Sequence, residues 1–180
     1  MDHTPRELVM RARRRDPVAF ASIVRSHERS ALAVAYAVLS DATAAGDVVQ
    51  EAFIKAWQRM DELTDPDRFS AWLARIVRNE SIDARRRRPA ATCDVETVSV
   101  AFTSDPSAGL EQTETRQRID GALAELDEET RTAVVLRYYD NLSSRQIGEV
   151  LDLTPAAVDM RLSRARRELR EKLSKERNTP

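Results

Sequence analysis

Apolar residues recur at steps of three and four along most of the chain, which is the spacing of a helix with one buried face. No stretch alternates apolar and polar residues in the manner of a β-strand. The pattern therefore predicts an all-α protein. The two clearest stripes are Phe69, Trp72, Leu73, Ile76 and Val77, and then Val158, Leu162, Ala165, Leu169 and Leu173.

Capping residues and prolines predict where the helices begin. A side-chain acceptor precedes a proline at Asp16-Pro17, Asp65-Pro66 and Thr154-Pro155. Proline suits the first helical position, because that position needs no amide donor. Ser143 followed by Gln146 predicts a capping box. The helices expected from these signals span about residues 5–14, 17–39, 43–60, 66–88, 110–126, 128–139, 144–151 and 155–173.

One stretch without helical periodicity divides the chain. Residues 89–109 are rich in Ala, Thr, Ser, Asp and Pro, a composition typical of a linker. We therefore expect two small helical domains joined by a flexible linker. The expected boundaries are 1–88 for the N-terminal domain, 89–111 for the linker and 112–180 for the C-terminal domain.

The segment 142–173 predicts a helix-turn-helix, whose second helix can lie in the DNA major groove. Small Gly148 lies where the two helices would cross closely. A helical hairpin with a solvated basic face is the alternative reading, but the caps, the turn and the outward arginines together favour DNA binding. These arginines are Arg161, Arg164, Arg166, Arg167 and Arg170.

Charge is segregated along the 180 residues, although the formal net charge is only −1. Residues 85–88 are four arginines and the C-terminal helix is also basic, whereas the charged residues within 94–114 are all acidic. Local patches of this kind, rather than the total, set the field that a phosphate meets.

Cysteine and histidine give little support for metal or redox chemistry. Cys93 is the single cysteine, so no internal disulfide can form. His3, His27 and Cys93 share no metal-ligand spacing, and we expect no cofactor. No apolar run reaches the length of a membrane span and no apolar signal core follows the N-terminus. We therefore expect a cytoplasmic protein without direct membrane insertion.

Three blocks resemble the extracytoplasmic-function (ECF) sigma factors of bacterial RNA polymerase, the small class of the sigma-70 family with only domains 2 and 4. Residues 47–57 resemble the D-x-x-Q-E-x-F segment of domain 2. Residues 69–85 resemble the next helix, W-L-x-x-I-x-x-N-x-x-x-D, followed by arginine. Residues 126–173 resemble domain 4, including the run Arg161-Leu162-Ser163-Arg164-Ala165-Arg166. The blocks cover both expected domains in the family's order.

The resemblance implies an alternative sigma factor, which binds core RNA polymerase, directs it to specific promoters and assists DNA melting. It also implies an anti-sigma factor as a further partner. The first block would dock on the clamp helices of the polymerase largest subunit, and the outer surface of domain 4 would meet the polymerase flap. The implied polymerase-binding residues are Asp47, Gln50, Glu51, Phe53 and Trp57.

The resemblance also assigns the downstream (minus-ten) promoter element to domain 2. The loop 63–68, together with Asn79 and Asp83, would hold a base flipped out of the duplex. The contacts in this site must offset an unstacking cost of a few kcal/mol. Arginines after this helix would hold phosphates near the melted edge. The implied minus-ten residues are Asn79, Asp83, Arg85, Arg86 and Arg87.

By the same resemblance, residues 155–167 would enter the major groove at the upstream (minus-thirty-five) element. Asp159 and Met160 depart from the family, which usually has a basic or small polar pair there. An acid repels phosphate and accepts a hydrogen bond from cytosine rather than donating one to guanine, so the upstream preference should differ. The implied residues are Arg137, Pro155, Asp159, Met160, Arg161, Ser163, Arg164 and Arg167.

Three other classes of function compete with this one. A free-standing repressor or activator with a helix-turn-helix would bind a palindrome as a dimer without polymerase. A helical adaptor or anti-sigma-like protein would not need the arginines of the last helix. An enzyme ranks last, because the sequence has no paired carboxylates, Ser-His-Asp, Cys-His or metal constellation.

Overall fold

The structure, a computed structural model, describes residues 4–87, 119 and 121–176, with side chains to Leu173. These residues form α-helices joined by short turns, without a β-strand among them, so the all-α prediction is confirmed. Two 3₁₀ turns, Met60–Glu62 and Pro66–Arg68, precede α4. The helices are α1 (Pro5–Arg13), α2 (Pro17–Leu39), α3 (Ala42–Gln58), α4 (Phe69–Arg87), α5 (Glu128–Tyr138), α6 (Ser144–Leu151) and α7 (Pro155–Glu176).

Side-chain caps start these helices largely where the sequence predicts. The Asp16 carboxylate accepts the amides of Val18 and Ala19 at 2.9 and 3.1 Å. The Ala19 amide and Arg11 together hold the pKa of Asp16 below its usual value. Ser143 and Gln146 form the predicted capping box. Each cap satisfies amides that a helix start leaves without partners.

Two expected helix boundaries differ from the structure because a 3₁₀ turn forms there. The helix expected over 43–60 ends at Gln58, because Met60–Glu62 forms a separate 3₁₀ turn. Asp65 caps a 3₁₀ turn rather than α4 itself: the Arg68 amide bonds the Asp65 carbonyl at 3.0 Å, an i to i+3 pattern. α4 therefore begins at Phe69. Arg88, Cys93, the linker 89–111 and most of the helix expected over 110–126 lie outside the described residues.

The turn of the helix-turn-helix depends on a close backbone approach. Asp152 ends α6 in the left-handed conformation, with φ of 57°. A Cβ on Gly148 would lie 2.4 Å from the Leu153 carbonyl oxygen, closer than any side chain tolerates. Ile147 and Val158 are completely buried beside this contact. A close approach at Gly148 is therefore present as predicted, although its nearest neighbour is the turn residue Leu153 rather than a side chain of α7.

The two halves of the chain share one apolar core. α1, α3 and α4 pack around α2, while α5 packs on α2 and α6 packs on α4. Residues of both halves belong to the same buried cluster. Asp140, directly after α5, lies beside Ser30 of α2, and burial raises the pKa of this carboxyl. The sequence did not predict this packing of one domain on the other.

The helices of the described part are also too short or too polar for a membrane. None of them combines the length and apolar character needed to cross a bilayer.

Gly148→Ala tests the close approach between Gly148 and the Leu153 carbonyl. We expect it to lower the free energy of unfolding by about 1–3 kcal/mol, because the added methyl group forces the α6–α7 turn to shift. Chemical denaturation followed by circular dichroism measures this change. Gly46→Ala is the matched control: nothing lies within 4 Å of its Cβ position in α3, and alanine should stabilise the helix by up to about 1 kcal/mol. Equal effects at the two glycines would contradict the steric argument.

Candidate interaction surfaces

An apolar groove of about 720 Å³ lies between α2 and α3. The Phe20 ring lies 4.8 Å from the Trp57 ring and 6.5 Å from the Phe53 ring, and Ile54 is 53% exposed. An exposed apolar concavity of this kind marks a site for a protein partner. We call it the α2–α3 groove; it is lined by Phe20, Val24, Glu28, Leu32, Gly46, Asp47, Val49, Gln50, Phe53, Ile54 and Trp57.

Four of the five residues expected to bind polymerase line this groove. Asp47 and Gln50 are exposed at its edge, whereas Phe53 is only 7% exposed and contributes mainly to the core. Trp57 is partly buried and lies at one end. Glu51 is exposed and does not line the groove. The structure therefore brings four of the five expected residues together along the groove and leaves Glu51 outside it.

Four of the eleven residues that line the groove belong to α2, and sequence reasoning did not expect α2 to contribute. Phe20, Val24 and Leu32 are only partly buried, and with Glu28 they recur every four residues on one face of α2. Residues four apart are neighbours on a helix surface. The acid within an otherwise apolar stripe was the available signal that this face also meets solvent.

A second, smaller pocket of about 200 Å³ lies at the loop before α4. Thr64, Asp65 and Arg68 of the loop line it with Trp72 and Arg75 of α4. An aromatic face beside hydrogen-bonding groups is the arrangement on which a nucleobase stacks. We call this the loop pocket; Glu62, Leu63, Ala71, Glu149 and Val150 complete its lining.

The other residues expected at the minus-ten element lie along α4, outside the loop pocket. Asn79 and Asp83 are exposed further along the helix and do not line the pocket. Arg86 and Arg87 are exposed at its C-terminal end. Arg85 forms an ion pair with Glu128 and donates to the Val38 carbonyl at 3.2 Å. Sequence reasoning missed Trp72 and Arg75, since Trp72 reads as a core position of the apolar stripe.

The outer face of α7 is open to solvent. Its inner positions Val158, Leu162 and Ala165 are at most 5% exposed, and Met160 on the opposite face is 71% exposed. The helix therefore presents a side-chain surface long enough to reach base edges in a major groove. The exposed members of the expected set are Pro155, Asp159, Met160, Ser163, Arg164 and Arg167.

Arg161 is held within the domain rather than projecting freely. Its guanidinium lies 2.5 Å from the Glu129 carboxylate and 3.4 Å from that of Asp127. These acids stand at the start of α5, where negative charge also favours the helix dipole. Arg164, by contrast, forms its ion pair along its own helix with Glu168, at 2.7 Å, and stays mostly exposed. Arg164 is therefore the better placed of the two for DNA.

Asp159 belongs to a hydrogen-bonded chain that anchors α7 on α5. Arg137 donates to the Ser144 hydroxyl at 2.5 Å, and that hydroxyl donates to the Asp159 carboxylate. The acid is therefore oriented towards α6 by its own domain. Arg137, expected near DNA, is partly buried in this chain.

These features define a class of protein: a two-domain helical factor with one groove for a protein partner and a helix-turn-helix with an open outer face. Family comparison gives a more specific assignment. Residues 23–90 match the model of sigma-70 region 2, and residues 116–169 match that of sigma-70 region 4.

Curated relatives point to the same family. The ECF RNA polymerase sigma factor SigW of Bacillus subtilis is 30% identical over 184 residues, covering 96% of this chain and 98% of SigW. The ECF sigma-E factor of Escherichia coli K12 is 32% identical over 177 residues, covering 91% of each chain. A probable sigma factor of Xanthomonas campestris, RfaY, is 34% identical, but the match spans only 40% of its length.

Two solved structures also resemble this fold. CnrH, solved with the cytosolic domain of CnrY, has a TM-score of 0.66 and 29% identity, covering 94% of this chain and 96% of CnrH. RpoE of Bartonella quintana, solved with the anti-sigma factor NepR, has a TM-score of 0.69 and 27% identity, covering 86% and 96%. The chain belongs to the ECF sigma factors of the sigma-70 family, initiation factors that bind core RNA polymerase and direct it to promoters.

Proposed function

We propose that this chain is the promoter-specificity subunit of a polymerase holoenzyme and has no catalytic activity of its own. One observation carries the proposal: a single chain has an apolar groove suited to a protein and, on a separate domain, a helix-turn-helix with an exposed basic face. A free-standing repressor would need the second surface but not the first. The protein would act in the cytoplasm, beside polymerase and DNA.

The α2–α3 groove is the proposed docking surface for the polymerase clamp helices. Its exposed Ile54 and partly exposed Trp57 give an apolar centre, and Asp47 and Gln50 give a polar edge. A desolvated apolar centre within a polar rim is the usual arrangement of a strong interface. Glu51 does not line the groove and would contact polymerase only at the edge of the interface.

The loop pocket is the proposed site for a flipped base of the minus-ten element. Trp72 supplies a stacking face, while Thr64 and Arg75 supply hydrogen-bonding groups. Arg86 and Arg87 at the end of α4 would contact backbone phosphates, which arginine binds in bidentate fashion. Asn79 and Asp83 are exposed between the loop pocket and these arginines. They would contact the DNA strand as it passes from the pocket to the arginines.

The outer face of α7 is the proposed reader of the minus-thirty-five element. Met160, Ser163 and Arg164 are exposed on it and could approach base edges, whereas Arg167 is better placed for phosphate. Asp159 and Arg137 would support the helix through Ser144. Arg161 would act by fixing α7 on α5 unless DNA displaces its acidic partners.

We further infer that an anti-sigma factor holds the protein inactive. RpoE, a solved protein that this chain resembles, is bound to an anti-sigma factor, and CnrH is bound to the cytosolic domain of CnrY. The α2–α3 groove is the surface we assign to this partner, because a chain seated there would exclude polymerase.

Gel-shift and run-off assays test the proposal as a whole. We expect the protein to give promoter-dependent RNA when it is mixed with purified core polymerase and genomic DNA fragments. On its own it should shift the same fragments weakly. Tight binding of a palindrome without polymerase would instead support a free-standing regulator.

Ile54→Arg should abolish tight docking. A charged side chain in the apolar centre of an interface pays a large desolvation cost, so we expect at least a roughly tenfold loss of affinity for core polymerase. Val18→Arg is the matched control, because Val18 is 67% exposed on α2 and does not line the groove. Fluorescence anisotropy with labelled protein measures both affinities. Retained affinity in Ile54→Arg would exclude the groove as the docking surface.

Arg164→Ala should weaken use of the promoter in reconstituted transcription. A base contact would cost about 1–3 kcal/mol and relax the preference at one position of the upstream element. A phosphate contact would instead weaken binding to all sequences and reduce its salt dependence. Lys172→Ala is the control on the same helix, since it removes equal charge where the partner is Glu125. Unchanged transcription in the Arg164 variant would refute the assignment of α7 to the groove.

A further inference from the structure

Arg15, in the turn between α1 and α2, adopts a backbone conformation that favours glycine. Its φ is 65°, in the left-handed region. Its amide donates to the Ala12 carbonyl at 2.9 Å, and the Asp16 amide donates to the Arg11 carbonyl at 3.2 Å. These two bonds end α1 as a Schellman motif, whose left-handed position is most often glycine. An arginine here therefore carries a conformational cost that glycine would avoid.

The Arg15 side chain caps the end of another helix. The last carbonyls of an α-helix have no partner within that helix. At the end of α3 the Arg15 guanidinium donates to the Trp57 carbonyl at 2.7 Å and to the Gln58 carbonyl at 3.4 Å. It also pairs with the Asp61 carboxylate, at 2.7 Å, in the 3₁₀ turn that follows. One planar group with five donors therefore joins the α1–α2 turn to the end of α3.

The same guanidinium contacts the indole ring of Trp57. It lies 5.7 Å from the ring centre, within the range of a cation–π interaction. The Phe20 ring lies 4.8 Å from the same indole. Trp57 is therefore held through its carbonyl by Arg15 and through its ring by both Arg15 and Phe20.

Trp57 needs this support because of its place in the helix. It is the second-last residue of α3 (Ala42–Gln58), and the terminal turns of helices fray. It also lies at one end of the α2–α3 groove. A loose aromatic side chain must lose its rotamer freedom when a partner binds, which lowers the affinity. Contacts that fix Trp57 in the free protein remove part of that cost.

We propose that Arg15 is a positioning residue for polymerase docking, which holds the end of α3 and the Trp57 indole in the orientation that the partner meets. This inference rests on the proposed function, since it takes the α2–α3 groove as the docking surface. Arg15 does not line the groove and acts through Trp57. The left-handed turn is strained at one position, and the side chain at that position keeps the docking surface ordered.

Arg15→Gly separates this role from ordinary stability. Glycine suits the left-handed backbone, and this gain should offset the lost side-chain bonds. We therefore expect the midpoint of unfolding in urea to stay within about 0.5 M of the wild-type value. The affinity for core polymerase, measured by fluorescence anisotropy with labelled protein, should fall about three- to tenfold, because Trp57 must then be ordered on binding.

Three further substitutions are controls for this variant. Ser40→Gly relieves another left-handed residue, with φ of 52°, at the end of α2 and outside the groove. Arg14→Gln removes the same charge from the exposed neighbouring position. Both should leave the affinity for core polymerase within about twofold of the wild type. Arg15→Lys keeps the charge without the planar fork, so its affinity should lie between those of Arg15→Gly and the wild type.

A spectroscopic measurement tests the effect on Trp57 without polymerase. The chain has two tryptophans, so Trp72→Phe leaves Trp57 as the single one. In that background the near-ultraviolet circular dichroism of Trp57 reports how firmly its ring is packed. Arg15→Gly should weaken this signal and speed the local motion seen in time-resolved fluorescence anisotropy. Ser40→Gly should change neither.

Each outcome supports or overturns the positioning role. Weaker docking and a weaker Trp57 signal in Arg15→Gly, at an unchanged urea midpoint, support it. An unchanged Trp57 signal overturns it, and so does a midpoint that falls with the affinity, because lost stability would then explain the result. Unchanged docking of Arg15→Gly beside a large loss in Ile54→Arg overturns it while the groove remains the docking surface. If neither variant docks more weakly, the groove itself is refuted and the role of Arg15 with it.

Discussion

The structure depends on the second half of α2 being enclosed by its neighbours. From Ala31 to Val38 six of eight residues are at most 5% exposed, and they occupy consecutive positions rather than one stripe. A helix that is apolar all round must be buried all round. α1, α3 and α4 cover three sides, and α5 of the C-terminal domain covers the remaining one. Its alanines, with small side chains, allow these neighbours to approach closely.

The local features of this fold were predictable because they depend on residues close in sequence. Asp16, Ser143 and Thr154 bond amides within three positions of themselves, so a single sequence predicts each of these helix starts. Gly148 was identifiable for the same reason, because its neighbour Leu153 is five residues away. Asp65 shows the limit of this reasoning. It caps a helical turn as predicted, but the turn has the 3₁₀ hydrogen-bonding pattern rather than that of an α-helix.

The contacts between the domains could not be predicted in this way. Arg68 and Glu149 are 81 positions apart, and nothing near either residue indicates its partner. Arg85 was expected to meet phosphate because it belongs to an arginine run, and a solvated face or an ion pair gives the same local pattern. The continuous apolar run in the second half of α2 was the one available sign, since three helices of one small domain rarely cover a fourth completely.

The strength of the interface matters as much as its geometry. Exposed or partly exposed ion pairs such as Arg68–Glu149 and Arg85–Glu128 contribute only about 0.2–1 kcal/mol each. The apolar contacts of α2 with α5 and of α4 with α6 therefore hold the two domains together more than these ion pairs do.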